Sequence, residues 1–390
     1  MLPPPRFELT QTGRQILLIL MGIGLITFIV GLIAVPERIW PNFLIAEYYL
    51  IGLGMGATFF IAIQYVMNGG WATAIRRIPE AMSSTLPIAG IGILILIFGI
   101  HTLYEWSHTE VVSLDPVLQE KSAWLNEPFF IIRLIGYFII WIGLSQMIRN
   151  NSLRQDSDPD LNYTHKNVRN STVFILIGVY TFCLASIDLI MSLQPHWYST
   201  VFGFQNLTGI FLSSLAMITV FVVLLRKAGY THLFTTEHLN TMGNLMLAFC
   251  IFWIYLWVSQ HMLIWYANIP EETSYFVFRH FDSWGTLSLI NVLMNWMVPF
   301  FILLSKFCKR HDQTMLQVSI LLLLGHWLDL YIMIMPVTHK VSPPFSIWEI
   351  GPFVGIMALF LWMVLRSLTR NRLIPVNDPY LVESLPAKEH

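Results

Sequence analysis

Three charged side chains stand inside stretches that are otherwise apolar: Arg133, Asp188 and Asp329. Three histidines, His101, His261 and His326, lie in or at the ends of such stretches. A charge in hydrocarbon costs several kcal/mol, so each of these groups must face a partner or water. Arg133 and Asp188 fall in adjacent stretches and form the obvious pair, either a static ion pair holding helices together or part of a reactive site. His326 precedes Asp329 by three residues and shares its helical face. A histidine and a carboxylate within reach of each other can bind a quinol-type hydroxyl or relay protons, since either changes protonation near neutral pH. The plainer alternative is hydrogen-bond glue between helices. His101 and His261, at matching depths, can line a quinone pocket or ligate a haem, or can simply bond one ring nitrogen to a neighbouring helix.

The elements that must position these groups follow from composition. Of 390 residues, 55% are hydrophobic and 12% charged, about half the charge of a soluble domain. Ten stretches of spanning length can be marked: Ile16–Val35, Tyr48–Met67, Leu86–Leu103, Phe129–Ile148, Val173–Leu193, Val201–Leu225, Leu245–Tyr266, Thr286–Ser305, Gln317–Met335 and Ile350–Leu365. All but three of the 45 charges lie between them. The expectation is an all-α polytopic membrane protein, a single integral domain over 1–390 with a tail at 366–390. Soluble enzymes, nucleic-acid binders and single-span receptors are excluded. Met1 to Gln15 is Pro-rich and polar and does not read as a cleaved signal peptide.

Lysine and arginine set the orientation. Seventeen fall on the side of the N-terminus, including Arg6, Arg76, Arg77, Lys309 and Lys388, against four on the other, Arg38, Lys121, Arg279 and Lys340. This bias places both termini in the cytoplasm. Trp and Tyr gather at the outer ends, as an interfacial belt does. The two longest outer connections, Trp106–Pro128 and Ala267–Ser283, are rich in acids and suit either solvation or the docking of a partner. Glu47 and Glu105 read as solvated at the outer boundary. The three cysteines belong to no CxxC, so no metal or iron–sulfur ligand set is visible.

An internal repeat is legible. The fifth stretch ends with Asp188-Leu, five residues and Pro195, and the ninth with Asp329-Leu, five residues and Pro336. The third and seventh carry His101-x-Leu and His261-x-Leu followed by aromatics. Both matches are offset by four stretches, and an even offset keeps the copies parallel. Two four-helix bundles follow, over 48–193 and 201–335, with the first and tenth helices peripheral. At 1.5 Å per residue the two aspartates lie about 10 Å inside their outer prolines. All six titratable groups then occupy the outer half or the centre. The cytoplasmic half offers only neutral polar groups such as Ser145, Gln146, Asn291, Asn295, Gln317 and Ser319. Gly52, Gly54 and Gly56 read as one small-residue packing face.

Three segments carry a resemblance: His196-Trp-Tyr-Ser-Thr-Val-Phe-Gly203, the run from Phe252 through Trp265-Tyr-Ala-Asn-Ile-Pro-Glu-Glu-Thr273, and Ile374-Pro-Val-Asn-Asp-Pro-Tyr380 with Glu383-Ser384. Together they resemble the NrfD-like membrane subunits of alternative complex III, a bacterial quinol:electron-acceptor oxidoreductase, and length and tail favour the smaller, ActF-type subunit. The resemblance implies two four-helix bundles. It implies as partners a larger sister subunit, a periplasmic iron–sulfur subunit and multihaem c-type cytochromes. In that family quinol oxidation is assigned most securely to the larger subunit, and a quinone site or a proton-conducting role is considered for the smaller. Asn240, Thr241 and Asn244 stand where the pattern carries titratable residues, and His261 where it carries Tyr.

The resulting expectation is a subunit with no redox ligands of its own, taking quinol or menaquinol as substrate. Asp188, His326, Asp329 and Arg133 would form a quinol-head pocket or a periplasmic proton exit. Two rivals are a structural anchor for extrinsic redox subunits and a proton-coupled carrier, the latter disfavoured by a charge-free cytoplasmic half.

Overall fold

A computed structural model describes residues 9–280, 282–340 and 342–385. Arg6 and Lys388, counted in the charge bias, lie outside the described residues, as does the end of the tail. Among the described residues the regular structure is helical, and ten helices are long and apolar enough to cross a membrane. They are α1 (Gln11–Ala34), α2 (Pro36–Val66), α3 (Arg77–Leu103), α4 (Glu127–Gln155), α5 (Asn162–Leu193), α6 (Phe202–Lys227), α7 (Thr236–Ala267), α8 (Ser283–Leu304), α9 (Asp312–Val337) and α10 (Ile347–Arg370). We call the face holding the start of α1 the basic face and the opposite one the distal face.

Local chemistry sets where helices begin. Thr10 caps α1 by accepting from the Gly13 amide, and Asn126 caps α4 by accepting from Phe129; such caps satisfy amides that no helical carbonyl can reach. Ser346 and Glu349 form a reciprocal capping box on α10. α2 and α3 begin well before the apolar runs at Tyr48 and Leu86. Several of the charges in those extensions meet partners within the fold. Arg38 of α2 grips Glu349 of α10 through Nε (2.5 Å) and Nη2 (2.7 Å), and Asn42 joins them.

α2 and α6 are the most enclosed helices, with 83% of their apolar stretches buried, against 22% for α1. α2 borders α3 and α5, and α4 borders the same two. α6 borders α7 and α9, and α8 borders those two in turn. α1 and α10 lie along each other, meeting where Gly24 and Gly355 bring their backbones together. The glycines of α2 do not share one face. Gly52 and Gly56 meet Ile210 and Ser214 of α6, while Gly54 meets Thr85 and Leu86. The period of 3.6 separates i from i+2 by about 200°. A Cβ at Gly56 would stand 2.2 Å from Ser214 Oγ and 2.7 Å from the Ile210 carbonyl. Gly56→Ala is therefore expected to destabilise the α2–α6 seam by about 1–3 kcal/mol, read as a lower thermal midpoint in detergent.

The basic half is not free of charge. Because α3 starts at Arg77, Glu80 lies within it, buried with Arg76 and Arg77. Arg77 binds Glu80 (2.5 Å) and Asp156 (2.6 Å), and Arg76 binds Asp378 of the tail. The tail folds back over this face, where Ser384 Oγ accepts from the Ala74 amide and meets His238 Nε2 at 3.0 Å. At the mouth of α7, Lys309 is buried and donates to Asn244 Oδ1 (2.6 Å). A cation from the α8–α9 connection thus stands where the α7 sequence alone shows neutral residues.

Candidate functional site at the distal face

The structure brings Arg133 and Asp188 together completely. Arg133 Nε and Nη2 donate to the two carboxylate oxygens at 3.0 and 2.9 Å. Trp124 Nε1 (2.9 Å) and Tyr137 Oη (3.0 Å) supply two more donors, so each oxygen accepts twice. Asp188 is fully buried. The third guanidinium nitrogen donates to the Trp124 carbonyl, and the group lies 4.2 Å from the Trp124 ring centroid. A carboxylate has about four lone-pair sites, and all are taken here. This geometry is that of the static pair: nothing on Asp188 is left over for a ligand.

Asp329 is held differently. Asn291 Nδ2 donates to it at 2.8 Å from α8, and Trp253 Nε1 at 3.3 Å from α7. A π-helical turn at Leu293–Met297 carries Asn295, whose Nδ2 donates to Asn291 Oδ1 at 2.6 Å. The chain Asp329–Asn291–Asn295 therefore runs inward along α8, and Asn291 belongs with the distal aspartate rather than the cytoplasmic half. His326 shares the Asp329 face of α9, but no hydrogen bond joins them. Its ring packs on bare Gly209 and 5.2 Å from the Tyr49 ring centroid, and its Nε2 has no partner.

On its distal side Asp329 borders a small cavity of about 30 Å³, where Gln205, Gln260, Ser288, Arg279 and His280 stand among aromatic and aliphatic side chains. That is room for a water or two, far below a ligand pocket. Arg279 brings a buried cation to this cavity. It comes from the short helix Pro270–His280, is 2% exposed, and donates to the carbonyls of Ile332 (3.0 Å) and Met333 (2.7 Å) and to Gln194 Oε1 (2.9 Å). Beside it, burial pushes the His280 imidazole down to about 4, with His261 and Arg279 adding to the shift, so His280 is neutral at pH 7.

The large cavity lies elsewhere on this face, between the two long connections. It measures about 560 Å³ and is lined by Trp124, Leu125, Ile187, Met191, Trp197 and Tyr198, with Lys121, His196, Glu271 and Glu272. This is within the range of small-molecule pockets. Trp124 is shared, one indole separating the cavity from Asp188. His196 Nε2 meets Asp115 Oδ2 at 2.5 Å. Burial raises the Asp115 carboxyl, but the His196 bond and the amides of Val117 and Leu118 outweigh it and hold the group below its ordinary value. His196, Glu271 and Glu272 stand in the segments that carry the family resemblance, which is the signal that could have marked them.

The two outer histidines do not converge. His101 is exposed, stacked on His108 and 3.5 Å from Glu127. His261 stacks on Trp257 and meets Phe276 and His280. Their surroundings share no residue and neither lines the two distal cavities, so a haem or a quinone pocket between them does not fit. Glu105 is exposed at the boundary, but Glu47 is not: it is 2% exposed, inside α2. Among the described residues no group of His, Cys, Asp or Glu side chains comes together as a metal site.

Fold and site define a polytopic helical membrane protein whose ion pair, water-sized cavity and ligand-sized cavity all lie toward one face. No protein-family model matches the chain, and no curated protein matches it in sequence.

Proposed function

We propose that the chain is an NrfD-like integral subunit of a bacterial quinol-oxidising respiratory complex of the alternative complex III type, with the basic face in the cytoplasm. The observation that carries the reading is the distal cavity of about 560 Å³, aromatic-lined, with the His196–Asp115 pair at its edge. In this position it receives the head of quinol or menaquinol from the membrane. Quinol loses two protons and two electrons to become quinone. His196, its other nitrogen held by Asp115, accepts the two ring-hydroxyl protons in turn and passes each to the periplasmic water that both residues meet. The two electrons would be taken up by iron–sulfur and haem groups on partner subunits, alongside a larger sister subunit. Arg133 and Asp188 fix Trp124, a wall of the cavity, and are positioning residues. Asp329 and His326, below the water-sized cavity, serve a separate proton path to the same face.

The resemblance and the seventeen-to-four cation bias support the membrane and its orientation. The ring of neighbours α2–α5, the second ring α6–α9 and an aspartate hydrogen-bonded by a tryptophan in each support two parallel four-helix bundles. The buried charges of the basic half remove one argument against proton movement across the whole membrane.

His196→Phe, which keeps the ring and removes both nitrogens, is expected to lower quinol oxidation by the assembled complex about 10²-fold, the usual contribution of a positioned base. Steady-state turnover with a soluble quinol, beside a subunit gel showing intact assembly, measures it. Full turnover would count against the cavity as the quinol site.

A further inference from the structure

Glu47 takes no part in the reading above. It stands eleven residues into the 31 of α2, about 16 Å along the helix from its distal start, and its neighbour Tyr48 is level with Ser186 of α5. It is 2% exposed, and Oε1 has no hydrogen-bond partner. Its carboxyl lies flat against α3 at Gly92, where a Cβ would fall 2.2 Å from both Cδ and Oε2. Gly92 is therefore what makes room for it.

Among the described residues no charged group on the surrounding helices pairs with Glu47; on α3, against which it lies, Arg77 and Glu80 bind each other. On α2 itself, Tyr48 bonds Ser186 (2.7 Å), Tyr49 donates to the Leu323 carbonyl (2.9 Å) and Arg38 holds Glu349 of α10. On α5, Asp188 is bound by Arg133. On α9, Asp329 is bound by Asn291 and Trp253, and His326 packs on Tyr49. Among the described residues no cation forms an ion pair with Glu47. An ionised carboxylate left unpaired in hydrocarbon carries the full cost of desolvation, whereas the neutral acid avoids most of it.

From this geometry we infer that Glu47 is a proton-binding site within the membrane, carrying its proton as a neutral carboxylic acid in a slot opened by Gly92. It is a second protonatable station, on the α2–α3 side of the molecule, separate from Asp329. The inference does not depend on quinol binding and stands or falls without it.

Infrared spectroscopy of the purified full-length protein in nanodiscs at pH 7 tests it, because an un-ionised carboxyl has a carbonyl band distinct from that of a carboxylate. The expected result is such a band that shifts on exchange into D₂O, disappears in Glu47→Gln and returns at a shifted frequency in Glu47→Asp. Glu47→Gln is near-isosteric and neutral, so its fold is checked by an unchanged thermal midpoint. If the un-ionised band is identical in wild type and Glu47→Gln, or if Glu47→Gln removes only carboxylate absorption, Glu47 is ionised and the inference is overturned.

Discussion

Arg133→Met is expected to destabilise the protein by about 3–5 kcal/mol, the usual effect of leaving one charge of a buried pair without its partner. Asp188 would keep its Trp124 and Tyr137 bonds but lose the cation facing both oxygens. The single variant should therefore lose folded yield and thermal midpoint together. Arg133→Met combined with Asp188→Asn removes both charges while the amide oxygen still accepts from the tryptophan or the tyrosine. That double variant should recover more than half of the lost stability and most of the turnover, because the pair's task is to hold Trp124. Thermal unfolding in detergent and quinol oxidation by the assembled complex provide the two readings. A double variant that folds well yet stays inactive would assign the charges a direct chemical role instead.

Asp329→Asn is expected to act the other way round, leaving assembly intact and lowering quinol-driven turnover about 10²-fold. The substitution keeps the shape of the side chain and one acceptor oxygen for Asn291 or Trp253, so the α7–α8–α9 contacts survive. What it removes is the exchangeable proton next to the water-sized cavity. Turnover and complex yield measured side by side separate this from a folding defect. Wild-type turnover in an assembled Asp329→Asn complex would exclude Asp329 from the proton path.

The contrast between these two aspartates was only half legible in the sequence. Both stand at the same place in a repeated Asp-Leu-x₅-Pro pattern, which correctly sets them on the distal side of α5 and α9. Arg133 pairs with Asp188 because it lies in the adjacent apolar stretch, where hydropathy exposes it. The cation near Asp329 is hidden for the opposite reason: Arg279 sits on an eleven-residue amphipathic helix too polar to look buried. It enters the interior only because the carbonyls of Ile332 and Met333 and the Gln194 amide oxygen satisfy its donors.

Helix length was misjudged by the same physics. Arg38, Glu47, Arg77 and Glu80 dilute the hydropathy of the ends of α2 and α3, so those ends read as connections. In three dimensions Arg38 meets Glu349, 311 residues away in the chain, and Arg77 meets Asp156. Glu47 consequently moves from an expected solvated boundary to the interior. The large distal cavity had no local signal at all, since it forms between connections that are distant in sequence. Its residues His196, Trp197, Tyr198, Ile269, Glu271 and Glu272 stood out through resemblance rather than through spacing.

Photolabelling of the intact complex with a photoreactive quinone analogue tests the central claim most directly. The account predicts labelled peptides from Val117–Leu125, Ile187–Tyr198 or Ile269–Glu272 of this chain, with labelling suppressed by excess natural quinol. Quinol-protected labelling confined to other subunits, with none on these segments, would contradict it.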